Sequence, residues 1–516
     1  MSSIDQAVLD GGTSATGRNW YLATLLMLVL VLLYHLGAQP LAVWDEARLA
    51  NNAIEMAQSG LSFVTTYAGL PDHWNTKPPL LIWLMALSIR CFGMNEWAVR
   101  LPSALAAIAV GSLVFWFCAV RLKRPVTGFI ANLFLLATPG FVISHGARSG
   151  DYDSMLTLWT TACLLAGYLY VHDRKHRQGW WLVACCLSIV LAFLTKTIQG
   201  LVFLPALVFY VVLQGQLFST LRSRKFYISV ALIVLTCAGY YFLRDQDDPG
   251  YWAAARSNDL GGRYATVIEN HQESLYWYLF NFRLFPWIIP GLLAGVAVCF
   301  TGNDEQRKIS FYISLSALFY LVMISTAATK LWWYAIPLSP LLAVLLGMAI
   351  DIAVTALGSR LRSGAANWSR ITIAGCVALG ICVVAYNMVK VDHRSQTMAA
   401  DEIDQYSVFL RSDLFAATPK GEMVIIHPGY PNGQADSFYV APPMFYMTAL
   451  RAAGHAVTIQ PESDAIPENA DTLVVCDDAR LKRVTAGVSV RAIARRGQCG
   501  VYLITDHHHG ILPEKI

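Results

Sequence analysis

A succession of apolar runs, continuing to about residue 389, constrains this chain more than any other feature. Runs near 20–37, 97–120, 126–143, 154–171, 180–194, 200–217, 227–243, 285–300, 310–328, 333–352 and 371–389 approach the roughly 20 residues that a helix needs to cross a bilayer. Backbone buried in lipid is satisfied only within a helix or a closed barrel, and continuous apolar runs select the helix. Charged residues make up 14% of the chain and hydrophobic ones 56%, whereas a soluble domain carries about 25% charged residues. The expected fold class is therefore an all-α polytopic membrane bundle of about eleven transmembrane helices. The net charge of +4 is spread among loops and gives no reason to expect nucleic acid as a partner. The first run lacks a small-residue cleavage signal and reads as a retained span.

The short connections Arg121 to Arg124, His172 to Arg177, Arg222 to Lys225, Asn303 to Lys308 and Ser359 to Arg370 are basic. They alternate with connections poorer in Lys and Arg, so the basic ones are expected inside. This divides the chain into a cytoplasmic tail (1–19), a transmembrane domain (20–389) and an external domain (390–516). The transmembrane part has two long external loops, about 38–96 and 244–284. The first contains a helical stretch from Glu46 to Gln58. It also contains an apolar segment, Leu80 to Phe92, that is too short to span comfortably and suits a helix lying in the interface. Beyond residue 390, short β-type runs (Met423 to Ile426, Thr472 to Val475, Val501 to Ile504) alternate with helical stretches such as Pro443 to Ala453, which predicts a small α/β domain. Of eleven cysteines, only Cys476 and Cys499 fall in that domain. In an oxidising compartment they are expected to pair, the alternative being two buried thiols.

Chemistry-bearing residues gather at the outer ends of the runs. Asp45-Glu46-Ala47-Arg48 follows the first span; its bland reading is a helix cap. Asp151 and Asp153 open the fourth span, where acids at a membrane edge are costly without partners. Lys77, Arg148, Lys196, Arg256, Arg263 and Lys330 fall on the same side. Singly, each could be a snorkelling anchor. Together they form a rim of cations and acids suited to an anionic lipid head group beside a general base.

The order of these motifs resembles the lipid-A aminoarabinose transferases and their relatives among the protein O-mannosyltransferase-like enzymes. The resemblance rests on Asp45-Glu46-Ala47-Arg48, Lys77-Pro78-Pro79-Leu80 with Trp83-Leu84, and Val99-Arg100-Leu101-Pro102-Ser103. It continues through Asp153, Leu191 to Lys196, and Lys330-Leu331 through Tyr334 to Pro337, and so covers roughly residues 40–340. It implies a glycosyltransferase C-type fold and an inverting transfer of a sugar from a polyprenyl-phosphate carrier to an envelope acceptor. That acceptor would be lipid A, lipopolysaccharide or another glycan, at the periplasmic face of a bacterial inner membrane. Asp45 would be the catalytic base and Asp153 its support, with Asp151 as rival for the second position. Lys77, Lys196, Arg263 and Tyr334 would bind the donor phosphate, supported by Arg48, Arg256 and Lys330. Thr76 departs from the pattern, standing where the aminoarabinose enzymes usually have an acid.

The chemistry agrees. A phosphate leaving group needs its charge neutralised more than it needs protonation, so one base with several cations suffices, unlike the paired acids of glycosidases. A divalent cation at the rim is an open alternative. A transporter of lipid or polyprenyl-linked substrates is the competing reading; it would place charges near the midplane and show internal repeats. Three weaker signals point nowhere. Gly12 and Gly17 have phosphate-loop spacing without the following Lys-Ser/Thr. His507, His508 and His509 read as a polar tail, and Asp477-Asp478 as solvated loop acids.

Overall fold

The computed structural model describes residues 15–143, 145–173, 178–259, 262–360, 365–397, 402–411, 421–427 and 437–507. Most of the tail 1–19 therefore lies outside the described residues, as do His508 and His509. The described chain is a helical membrane bundle followed by a mixed sheet.

Among the described residues, seven helices are long and apolar enough to cross a bilayer: Glu96–Arg121, Asp153–His172, Gln178–Leu201, Arg224–Asp247, Asp304–Thr326, Trp332–Arg360 and Asn367–Arg394. Four shorter apolar helices (Gly17–Leu33, Pro125–Leu136, Leu204–Leu213 and Ile288–Thr301) fall on the remaining expected runs. They are short for identifiable reasons. Pro139 restarts the chain as a separate turn, Pro139–Val142, after the Pro125–Leu136 helix. The 200–217 run opens as a 3-10 turn, Thr197–Leu201, before the helix at Leu204 with Pro205 in its first turn. The Leu80–Phe92 segment is a thirteen-residue helix, as its length predicts.

The bundle core joins the first helix to the helices after Glu96, Pro125, Asp153, Asp304 and Ser339. The opposite ends of the helices are tied by Arg121 to Glu305 (2.7 Å) and by Arg124 to Asp351. The connections Arg121 to Arg124 and Asn303 to Lys308 thus share one face, at the far end of the Glu96–Arg121 helix from Arg100 and its partner Glu46.

A small antiparallel ribbon, β1 (Thr66–Tyr67) with β2 (Leu70–Pro71), sits in the first loop. The C-terminal sheet contains β3 (Glu422–His427), β4 (Ala456–Pro461), β5 (Thr472–Cys476), β6 (Val488–Arg496) and β7 (Cys499–His507), in the order β4-β3-β5-β7-β6. β3 runs parallel to β4 and β5, while β7 is antiparallel to β5 and β6. Cys476 and Cys499 face each other across β5 and β7 and are joined as a disulfide. Asp477 caps the helix Asp478–Val484, accepting from the Ala479 N–H, and is not a loose loop acid.

The sheet domain docks firmly on the membrane domain. Tyr446 donates to Glu96 (2.8 Å) and accepts from the Leu41 N–H (3.1 Å). Asn51 donates to the Ala441 carbonyl (2.7 Å), and Arg411 reaches the carbonyls of Gly37 and Ala38 (both 2.7 Å). One apolar core runs continuously from the first-loop helices into the sheet.

Candidate active site

The four-residue motif after the first span divides its labour. Asp45 is the first residue of the Asp45–Ser59 helix; the cap position is Trp44, which makes no side-chain cap. The cap reading of Asp45 therefore fails. Glu46 faces inward, where Arg100 donates to both its oxygens (2.7 and 2.8 Å) and the N–H groups of Ala42 (2.7 Å) and Gly150 (2.8 Å) complete its shell. This explains why an arginine stands in Val99-Arg100-Leu101: it clamps the first loop to the Glu96–Arg121 helix and to the turn before Asp151. Arg48 points the other way. It grips Asp72 with two bonds (2.9 and 2.8 Å) and lies 3.4 Å over the Tyr67 ring.

Asp72 in turn folds the loop, accepting from Asn52 (2.9 Å) and from the Trp74 N–H (3.1 Å). Burial would raise its pKa, but Arg48 outweighs that and holds it below the usual carboxylate range. The loop so shaped delivers Trp74, Asn75 and Lys77 to a cavity of about 590 Å³. Asp45, Asp151, Lys196, Arg263 and Tyr334 line the same cavity, with His145, Gln199, Asp259, Glu269, His271 and Trp333.

Each wall has its own support. Tyr152 donates to Asn75 (3.1 Å), and Tyr251 donates to the Thr76 carbonyl (2.5 Å). Thr76 bonds Asp259 of the second long loop, so an acid reaches this position from elsewhere in the chain. That second loop is stitched to the approach of the Trp332–Leu338 turn: Ala328, Thr329 and Lys330 donate their N–H groups to the carbonyls of Tyr264, Arg263 and His271 (2.9, 3.0 and 3.0 Å). Arg263 is thereby brought to the cavity beside Tyr334, with Asn258 at 3.3 Å and Glu269 at 3.8 Å.

Two acids expected to act alike do not. Asp153 is only 1% exposed, and both its oxygens accept from Lys196 at 2.7 Å. It is the countercharge that lets Lys196 sit at the cavity wall, and direct contact with a substrate is closed to it. Asp45 keeps 28% of its side chain exposed, with the His145 ring nitrogen 3.6 Å away. His145 bonds Asp151 and stacks on Trp333, ring centroids 3.8 Å apart. Of the two acids at the head of the Asp153–His172 helix, Asp151, the rival in the sequence reading, is therefore the one that lines the cavity with Asp45.

Burial, and then the neighbouring Asp151 carboxylate, raise the pKa of Asp45; His145, Lys77 and Lys196 pull it back only in part. Burial opposes a charged His145, but Asp151 and Asp45 together lift its pKa above the ordinary value. Burial also works against a charged Asp151, and His145, together with Lys196 and the Tyr152 N–H, more than offsets it. The arrangement is an imidazole ring between two carboxylates, of which Asp45 is the more exposed. Ligand atoms of Asp45, His145 and Asp151 lie within 4.8 Å of one another, so this same group could hold a divalent cation.

Three expected supporting residues do not line the cavity. Arg48 is spent on Asp72, Arg256 is exposed on the Tyr251–Asn258 helix, and Lys330 is buried with its ammonium on the Ala327 carbonyl (2.7 Å). His145 was missing from the sequence reading. A single histidine between two spans gives no motif, although its left-handed φ of 57° sets it apart in the structure, as does Trp44 with 75°.

Residues 76–241 match the sequence family described as dolichyl-phosphate-mannose-protein mannosyltransferase. Curated relatives include two enzymes named undecaprenyl phosphate-alpha-4-amino-4-deoxy-L-arabinose arabinosyl transferase. The one from Pseudomonas savastanoi pv. phaseolicola is 27% identical over 357 residues, 68% of this chain and 65% of that protein. The one from Aeromonas salmonicida is 30% identical over 342 residues, 63% and 59% of the two chains. The match thus spans somewhat less than two thirds of these relatives. Among solved structures, ArnT from Cupriavidus metallidurans bound to undecaprenyl phosphate superposes with a TM-score of 0.64 at 19% identity, covering 95% of this chain and 98% of that one. The archaeal oligosaccharyltransferase AglB from Archaeoglobus fulgidus, in complex with an inhibitory peptide and a dolichol-phosphate, gives 0.53 at 12% identity, covering 95% and 74%. At these identities the likeness speaks for the fold.

Proposed function

We propose, from the premise that this chain is related to the lipid-A aminoarabinose transferases and the protein-mannosyltransferase-like enzymes, that it transfers a sugar from a polyprenyl-phosphate carrier to a cell-envelope acceptor. The observation that carries this reading is the cavity in which Asp45 faces Lys77, Lys196, Arg263 and Tyr334. Asp45 takes the acceptor's proton. Lys77, Arg263 and the Tyr334 hydroxyl receive the charge that develops on the departing carrier phosphate. Lys196, held by Asp153, adds a fixed positive charge at the wall. The Asp151–His145 pair orients Asp45 and keeps it from sharing its proton with Asp151. Displacement in one step inverts the anomeric centre.

Eleven spans follow if the four shorter apolar helices cross with the seven long ones. The N-terminus is then inside, and both the cavity and the sheet domain are periplasmic. The clustering of basic connections at the opposite face supports this orientation, as does a disulfide in the sheet domain. In this scheme the Leu80–Phe92 helix, led by Lys77, guides the isoprenoid tail. Residues 1–19 form the cytoplasmic tail in this scheme.

The test uses purified protein in liposomes with a crude envelope acceptor. Radiolabelled sugar is supplied on a polyprenyl monophosphate, a polyprenyl pyrophosphate or a nucleotide. Transfer from the monophosphate is expected. Transfer from the nucleotide sugar alone would overturn the donor assignment and the orientation together. Mass spectrometry of envelope lipids and glycans, with and without the gene, then names sugar and acceptor.

A further inference from the structure

The residue before Asp45 enters the reaction cavity on a strained backbone. Trp44 has φ 75° and ψ −121°, the pair of angles at the first central position of a type II′ turn, where glycine dominates because it has no Cβ to clash. For a side chain as large as tryptophan this is an outlier, and such residues gather where a ligand is held. His145 and Glu269, with φ 57° and 56°, line the same cavity.

Starting the helix does not require the indole. The Arg48 N–H bonds the Trp44 carbonyl (3.0 Å), and the Ala47 N–H bonds the Ala42 carbonyl (3.2 Å). Glycine at position 44 would permit both bonds and relieve the clash. The strain therefore serves the ring.

The other aromatic rings that line the cavity are buried or half-buried. Trp333 lies flat on His145, centroids 3.8 Å apart, and Trp74 has Arg48 and Lys77 at 5.7 and 6.0 Å. Tyr152 and Tyr334 have Lys77 and Lys196 at 5.9 and 5.7 Å. Trp44 keeps 45% of its surface exposed. Tryptophan at the end of a span is ordinarily an interfacial anchor. That role faces lipid and takes any backbone, whereas Trp44 lines a cavity of charged and amide groups. A ligand suited to both features is flat, apolar on its faces and polar at its rim. A sugar ring has that form: C–H bonds on its faces and hydroxyls at its edge.

We propose that the Trp44 indole is the platform on which a sugar ring stacks beside Asp45. That ring belongs either to the donor or to the acceptor, and the chemistry of recognition is the same. The assignment rests on the transferase reading above, so its test measures binding and not turnover. Full-length protein in nanodiscs is titrated with two pairs of ligands. The donor pair is undecaprenyl phosphate with and without an attached 4-amino-4-deoxy-L-arabinose. The acceptor pair is lipid A and phosphatidic acid, which has phosphate and acyl chains but no sugar.

In at least one pair the wild type should bind the sugar-bearing member more tightly. Trp44→Gly should weaken that member by roughly three- to tenfold, leave its sugar-free partner unchanged, and so name the source of the ring. Trp44→Phe should retain most of the preference. Trp44→Gly should unfold at or above the wild-type temperature, and Trp44→Ala below Trp44→Gly, because alanine keeps the strain and loses the ring. A Trp44→Gly protein that keeps every sugar preference overturns the platform, as does one that loses sugar-bearing and sugar-free ligands equally. Trp44→Ala as stable as Trp44→Gly would overturn it too, by removing the strained backbone on which it stands. The two readings fail separately. Wild type that does not bind undecaprenyl phosphate undoes the transferase reading and the platform with it. Wild type that binds the carrier but prefers neither sugar-bearing ligand overturns the platform alone.

Discussion

Asp45 and Asp153 end up on the two sides of one wall, and their difference teaches how to read acids at a membrane edge. Both are the first residue of a helix, and neither is a cap. Asp153 is sealed, with both oxygens on the Lys196 ammonium at 2.7 Å. Asp45 is open to the cavity, and its ion-pair contact among the described residues is His145 at 3.6 Å. A carboxylate whose lone pairs are committed in the resting fold is a countercharge; one that keeps them for the cavity can accept a proton. Position at the end of a span does not separate the two cases. Saturation by a partner does.

The contrast is broken most forcefully at the sealed acid. Asp153→Ala leaves Lys196 buried and unpaired, which should cost about 3–5 kcal/mol of stability. The Asp153→Ala/Lys196→Met double variant should regain much of that loss, because removing both charges removes the desolvation problem, yet it should remain weak in donor binding. Thermal unfolding in detergent checks both. A single variant as stable as wild type would mean that the pair is not what holds Lys196.

At the open acid the pattern should reverse. Asp45→Asn should unfold at the wild-type temperature while turnover falls by about a hundredfold or more. Near-normal turnover in the purified variant would move the base to Asp151. The cations divide in the same way. Lys77→Ala and Arg263→Ala should weaken donor binding by about 1.5–3 kcal/mol and leave stability nearly unchanged. Arg48→Ala should do the opposite, since it strands Asp72 in the loop core. Carrier titrations that overlay wild type for Lys77→Ala and Arg263→Ala would place the phosphate elsewhere.

The same distinction explains what the sequence could convey. Apolar runs are a local signal, and every expected span has a helix at its place. Pro139 and Pro205 shorten two of them, as proline chemistry requires. Asp45, Lys77, Lys196, Arg263 and Tyr334 could be selected together because ordered motifs and a shared side of the membrane mark them. Arg48 could not be separated from them, because its partner Asp72 lies 24 residues away. His145 gave no pattern at all, since its meaning comes from Asp45 and Asp151 meeting it in space. In the C-terminal domain, β5 is fully buried and reads as an apolar run, while β6 is half-exposed and Arg-rich and was missed.

The finest test of the comparison lies in the pH dependence. As a base, Asp45 must be ionised, so turnover should fall as pH drops through its pKa. Burial first, and Asp151 second, raise that pKa, so the acidic limb should lie above the ordinary carboxylate value of about 4. Asp151→Asn removes the like charge, but it also takes from His145 the partner that raises its pKa. The first change lowers the limb and the second raises it. Asp151 acts on Asp45 more strongly than His145 does, so the limb should move down. His145→Gln removes only the cation and should move the limb up. Opposite displacements in the two variants, measured as turnover against pH at saturating donor, identify Asp45 as the titrating group. Displacements of the same sign, or none, would mean that the limb belongs to another residue and that the open acid is not the base.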